Sequence, residues 1–232
     1  MAGTWSIDEL ANAGPEHLQP DYVARYDRKA GSDAAEALEL LRKYGLGDRS
    51  TLLDIGAGTG ELAIAAARFC REVIAVDVSR AMLDFLRDRL SKASVPNVRC
   101  VEAGFISYRH DEEPVDFVYT RNALHHLPDF WKAIALDRVA GFVPPQGVLV
   151  IEDLIYDFQP SQADEIFTRW FAQAATDSAV GYTEQDFVEH IRSEHSTFRW
   201  LFEPLLDATG FDLAEVSFES SVYGTYVCVR RG

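Results

Sequence analysis

The run Leu52-Leu53-Asp54-Ile55-Gly56-Ala57-Gly58-Thr59-Gly60-Glu61-Leu62 constrains this chain more than any other segment. Apolar residues up to Ile55 predict a buried strand, the three glycines a tight turn, and the Ala-rich stretch from Leu62 to Cys70 a helix. Glycine lets a backbone fold sharply and come close to a ligand, while a helix start offers unpaired N–H groups. A small charged ligand can sit on such a turn. The next strand, Val73–Val76, ends at Asp77, where a carboxylate can accept hydrogen bonds from both hydroxyls of a ribose. A glycine turn alone is weak evidence, because tight loops are common. Together with an acid about 20 residues on, it becomes a nucleoside-binding pattern. Dinucleotide binders place a third glycine where Glu61 stands, and a carboxylate there would face a pyrophosphate, so the pattern favours a ligand without phosphates.

Strand and helix patterns continue to alternate. A helical stretch runs from Arg80 to Lys92, apolar strands follow at Val98–Val101 and Val115–Tyr119, a helix at Trp131–Ala140 and a strand at Val148–Ile151. Pro96-Asn97 and Pro144-Pro145-Gln146-Gly147 punctuate them as turns. With two final strands, Leu213–Phe218 and Tyr223–Val229, the chain reads as an α/β protein with a doubly wound, mostly parallel seven-stranded sheet and helical additions. No repeat or Gly/Ser-rich linker divides it, so residues 1–232 are expected to form one domain. Within it, 1–44 would be a helical N-terminal cap, 51–153 the ligand-binding core and 161–209 a helical insertion on the substrate side.

The stretch from Thr51 to Asp153 resembles the class I S-adenosylmethionine-dependent methyltransferases. Leu53 to Gly60 looks like that family's first motif, Asp77 like its ribose-binding acid, and Asp77-Val78-Ser79-Arg80-Ala81-Met82-Leu83 like its D-x-S-x-x-M-L stretch. The resemblance implies a Rossmann-like fold with an antiparallel last strand and S-adenosyl-L-methionine as cofactor. It implies a cofactor site of Asp54, Gly56, Gly58, Gly60, Asp77, Val78 and Met82, with Met82 near the adenine. Two places depart from the family pattern. Where many members carry an acid that accepts from the adenine amino group, this chain has Ala103-Gly104-Phe105, which leaves backbone groups and the Phe105 ring to serve the base. The usual K-P-G-G turn is Pro144-Pro145-Gln146-Gly147.

After the fourth strand, Tyr119 to Asp129 resembles the family's segment beside the methyl donor. Asn122 is expected to contact the methionine part of the cofactor, with an Asx turn as the plain structural alternative. His125 and His126 point about 100° apart on a helical turn, so one faces the pocket. By analogy with the family, His125 is assigned to the substrate side as a candidate base and His126 to packing. Tyr22 and Tyr26 share a helical face, and Tyr26 is expected to fold over the cofactor, although both rings could simply staple a helix to the core. Trp170, Phe171, Phe198, Trp200 and Phe202 either wall a hydrophobic substrate cavity or pack their helices, while His190, Glu194 and His195 are expected to be exposed.

Composition narrows the partners. Asp plus Glu number 37 against 22 Lys plus Arg, a formal charge of -15, which repels nucleic acid and anionic membranes at long range. No apolar run approaches the roughly 20 residues of a membrane span, and no secretory signal is visible, so a cytoplasmic protein is expected. Cys70, Cys100 and Cys228 lie far apart and read as buried thiols. The histidine pair has no further ligands at recognisable spacing, so no metal is expected. The favoured function is methylation of a small, apolar or aromatic metabolite, with oligomeric state and acceptor atom open. The alternatives are a cofactor-binding protein without methylation activity and a nicotinamide-dependent oxidoreductase.

Overall fold

The computed structural model describes residues 5–14, 23, 34–178 and 180–232. Among the described residues, helices α1 (Glu9–Asn12) and α2 (Ala34–Lys43) precede the alternating core. The core comprises β1 (Thr51–Ile55), α3 (Glu61–Ala66), β2 (Glu72–Asp77), α4 (Arg80–Ala93), β3 (Val98–Glu102), β4 (Phe117–Arg121), α5 (Asp129–Phe142) and β5 (Val148–Asp153). Next come β6 (Ile155–Tyr156), α6 (Ala163–Phe171), α7 (Glu184–Ser193), β7 (Thr197–Phe198), α8 (Arg199–Ala208), β8 (Phe211–Glu219) and β9 (Tyr223–Arg230).

The main sheet has seven strands in the order β3-β2-β1-β4-β5-β9-β8. The first five are parallel, and β9 runs antiparallel to both β5 and β8. Each residue of β1 is buried because the strand is covered on both faces. Leu53 and Ile55 enter one core with α5, while Leu52 enters the other with α3 and α4, as the two-residue period of a strand requires. Strand order reverses between β1 and β4, and at such a switch point the carboxyl ends of the strands part to form a crevice.

Helix α3 is shorter than the sequence pattern suggests, closing at Ala66 rather than Cys70. Its end is fixed from outside: the Asn97 side-chain amide donates to the carbonyls of Ala67 and Cys70, at 2.8 and 3.1 Å. The 161–209 segment also divides. Helix α8 sends Phe202 and Leu206 into the main core, whereas Tyr156, Phe158 and Ile166 form a satellite core with Phe167, Trp170 and Phe198.

Candidate active site

The glycine turn is held from the neighbouring strand. The amides of Gly56 and Ala57 donate to the Val76 carbonyl at 2.8 and 3.0 Å, and the Gly58 amide donates to Asp77 Oδ2 at 2.8 Å. Asp77 Oδ1 accepts from the Ser79 amide at 2.7 Å, and Ser79 in turn caps α4 by accepting from the Met82 amide at 3.2 Å. Burial raises the Asp77 carboxyl above its ordinary range, against the opposing pull of those two N–H groups. Asp54, also buried, is pushed up to about 7, first by burial and then by the charge of Asp77.

Among the expected cofactor residues, Gly56, Gly58, Asp77, Val78, Met82 and Asn122 all line one cleft at the switch point. Gly104 and Phe105 close its far side, and Asp54 lines an adjoining cavity with Gly56 and Gly58. A Cβ on Gly56, whose φ is +81°, would lie 2.5 Å from Ala123 Cβ, so only glycine fits there. Gly60 is placed differently. It lines neither cavity, and its bare Cα faces Leu86, whose Cδ1 would lie 2.1 Å from an added Cβ. Its part is to let α3 and α4 approach. Tyr26 lies outside the described residues.

Asn122 adopts φ +50° and buries Oδ1 with no hydrogen-bond partner among the described residues. A buried acceptor without a donor is costly, about 1–3 kcal/mol, and Asn122 lines the cleft, so a ligand donor would satisfy it. The opposite end of the cleft holds a residue that sequence reading missed. Glu9 reaches from α1 across the tip of β3, where Oε1 accepts from the Ile106 amide at 2.9 Å and Oε2 from the Ser107 amide and hydroxyl at 2.9 and 2.7 Å. A Cβ on Gly104 would meet Glu9 Oε1 at 2.4 Å, so the glycine makes room for this carboxylate. An acid therefore stands beside Ala103-Gly104-Phe105 after all, supplied by a distant part of the chain.

The two histidines exchange their expected places. His126 lines the cleft, while His125 is buried away from it, with Nδ1 donating to Asp153 Oδ1 at 2.5 Å and Nε2 lying 3.0 Å from Glu194 Oε2. Asp153 also accepts from the amides of Ala123, Leu124 and Leu154, at 3.2, 2.8 and 2.7 Å. Burial alone would lower the His125 imidazole, but Asp153 and Glu194 outweigh it and hold it at about 9. Burial would correspondingly raise Asp153, yet His125 and the backbone N–H groups bring it to about 2. A proton acceptor needs a free lone pair, and both ring nitrogens of His125 are committed to carboxylates, so the expected role as base on the substrate side does not fit this geometry.

His190 and Glu194 are partly buried rather than exposed: His190 Nδ1 pairs with Glu194, and His190 Nε2 lies 2.7 Å from Ser196 Oγ. Lys132, buried within α5, secures this segment by donating to the His195 carbonyl and to Asp129 Oδ1. The aromatic rings of the insertion mostly pack on one another, with Trp170 stacked on Phe187 at 4.3 Å and Phe198 on Trp200 at 5.6 Å. At the glycine turn, the Glu61 carboxylate is drawn to Arg89 at 2.7 Å.

Known proteins resemble this chain in sequence and in fold. A family model described as a methyltransferase domain matches residues 52–147. Trans-aconitate 2-methyltransferase of Methylobacterium radiotolerans is 34% identical over 131 residues, covering 56% of this chain and 47% of that protein. An uncharacterized methyltransferase of Exiguobacterium sibiricum is 24% identical over 210 residues, covering 88% of this chain and 91% of the relative. The chain thus spans about half the length of some curated relatives it matches and nearly all of others. Among solved structures, magnesium protoporphyrin IX methyltransferase of Synechocystis PCC 6803 with bound S-adenosylmethionine superposes with a TM-score of 0.65. That match covers 98% of this chain and 100% of the other at 14% identity, a likeness of fold.

Proposed function

We propose that this chain, whose residues 52–147 match a methyltransferase domain, is a class I S-adenosylmethionine-dependent methyltransferase and that it methylates a small, apolar or aromatic acceptor. The observation that carries the reading is one cleft in which a glycine turn, a ribose-suited carboxylate and a donor-seeking amide oxygen converge, at Gly58, Asp77 and Asn122 Oδ1. Bound there, S-adenosyl-L-methionine would supply an already activated methyl group on its sulfonium.

The chain's own residues have the task of holding and orienting. Asp77 has lone pairs left for the ribose hydroxyls after its two backbone bonds. Met82 and Phe105 offer apolar and aromatic surface to a base, and Glu9 offers its amino group a carboxylate. Asn122 Oδ1 and the Asp54 carboxyl suit the ammonium of an amino-acid moiety. Orientation in a displacement reaction supplies about 7–11 kcal/mol, so the pocket requires no base on His125. Of the two histidines, His126 is the one that lines this cleft, and the acceptor side is assigned to it on that ground.

A small-molecule acceptor is supported by the formal charge of -15, which disfavours nucleic acid. By its name, the trans-aconitate relative also acts on a small molecule. The nicotinamide alternative loses support because the Glu61–Arg89 pair stands where a dinucleotide turn needs its third glycine.

Calorimetry with S-adenosylhomocysteine should give binding that Asp77→Ala removes, and labelled donor should mark a low-molecular-weight fraction of a metabolite extract. No binding by the wild type, or a thermal shift with NADH in its place, overturns the cofactor reading. Label confined to protein or nucleic acid overturns the acceptor reading.

A further inference from the structure

Beside the cleft, the fold gathers three donors of a kind that metals use. One ring nitrogen each of His125 and His190 and a carboxylate oxygen of Glu194 all lie within 4.8 Å of one another, and His125 turns its Nε2 to Glu194 at 3.0 Å. They come from two places. His125 follows β4, whereas His190 lies on α7 and Glu194 just beyond it, four residues apart and therefore on one helical face. We propose that His125, His190 and Glu194 bind one divalent transition metal ion of the zinc type.

Three features carry the assignment. First, the donor set is two imidazoles and a carboxylate, which suits zinc and its neighbours rather than magnesium or calcium. Second, each imidazole has its other nitrogen held by an outer partner. Asp153 holds His125 Nδ1, and Asp153 is itself fixed by three backbone amides. Ser196 Oγ holds His190 Nε2 at 2.7 Å. Outer partners of this kind set the tautomer and turn the remaining nitrogen of each ring toward Glu194, where an ion would take the place of the protons these nitrogens now share with that carboxylate. Third, the ligand-bearing segments are braced against each other before any ion arrives. The His195 amide donates to the His125 carbonyl at 2.8 Å, and Thr197 Oγ1 donates to Asp129 Oδ2 at 3.1 Å.

Charge complements geometry. Asp153 and Glu194 face the same imidazole from opposite sides, so the cluster contains two carboxylates in a largely buried place and accommodates a cation readily. Glu194 keeps a quarter of its side chain exposed, at 26%, which gives an ion a route in. The ion would clamp α7 to the tip of β4, next to the cleft residue His126. The assignment is independent of the methyl donor, and its test uses none.

The test is titration of the full chain, stripped with a chelator, with zinc alone. One equivalent per chain should bind and raise the melting temperature in proportion to the logarithm of free zinc. Magnesium should do neither. His190→Ala and Glu194→Gln should abolish binding, Ser196→Ala should weaken it by about tenfold or more, and His110→Ala, remote from the cluster, should leave it intact. Should the ligand variants not fold, cobalt(II) added to the wild type decides the matter, since intense visible bands of a low-symmetry imidazole-bound site are expected. Absence of zinc binding, equal binding by the ligand variants, or a cobalt spectrum identical to the ion in buffer overturns the proposal.

Discussion

Asp77 Oδ2 accepts a hydrogen bond from the Gly58 amide at 2.8 Å, so the residue that closes the second strand also sets the turn that follows the first. Asp77→Ala therefore removes two things, the proposed ribose partner and a turn anchor. Loss of two hydrogen bonds to a charged acceptor, at about 1.5–3 kcal/mol each, corresponds to a hundredfold or greater fall in S-adenosylhomocysteine affinity. Asp77→Asn should retain part of it. Titration calorimetry on the three proteins checks the order, and equal affinities refute it.

Gly60→Ala should destabilise the fold without directly removing a cleft contact. The new Cβ meets Leu86 at 2.1 Å, and the backbone sits at φ +83°. Overpacking costs roughly 1–3 kcal/mol, and the left-handed backbone adds about 1 kcal/mol. Because the clash has one named partner, Leu86→Ala should cost less in the Gly60→Ala background than alone. Urea unfolding of the double-mutant cycle measures this coupling, and additive costs would contradict it.

Asp54 should make binding depend on pH. Its ordinary value is 3.8 and its value in the fold about 7, so across that interval the folded state holds a proton that the unfolded state releases. The contribution of this group to stability therefore falls as pH rises from about 4 to about 7. A ligand ammonium beside the carboxylate would favour its ionised form, so binding should release a proton below about pH 7. Affinity for S-adenosylhomocysteine should then rise with pH, by at most about tenfold per unit, and level off above about 7. Asp54→Asn should flatten the profile. Calorimetry in buffers of different ionisation enthalpy counts the proton.

Glu9→Ala should relax recognition of the base more than it weakens turnover. The carboxylate lies at the Gly104 end of the cleft, fixed by the Ile106 and Ser107 amides. Wild type should prefer the adenosine form of S-adenosylhomocysteine to its inosine form by about tenfold, the value of one hydrogen bond to a charged acceptor, and Glu9→Ala should lose that preference. Competition binding with the two compounds is the measurement, and an unchanged preference argues against a base-reading role.

Most of the sheet was legible in the sequence because strands buried on both faces leave unbroken apolar runs, as at Leu52–Ile55 and Val73–Val76. The glycine turn and Asp77 were legible for a related reason: backbone constraint and strand position are local properties. Glu9 was not, because it meets Ile106 across 97 positions, and no periodicity encodes such a meeting. His190 and Glu194 did carry a signal in their four-residue spacing, but that spacing alone could not reveal that the helix returns to His125. Adjacency suggested that one histidine of the pair faces the cleft. Which one depended on Asp153, a residue at the end of another strand. The role of Gly60 was hidden for the same reason, since its neighbour Leu86 belongs to the following helix.

Strand β9 lies between β5 and β8, although β8 precedes it along the chain. During synthesis, then, β8 leaves the ribosome before the strand that must separate it from β5 exists. It has no correct berth on the growing sheet at that moment, and an early pairing with β5 would have to be undone. The two strands turn back on each other through Ser220 and Ser221, at φ +51° and +58°, and share an extended antiparallel ladder. Assembly is accordingly expected to proceed by forming this hairpin first and docking it as a unit, so the rate at which the turn closes bears on how long the edge of β5 stays open to other chains.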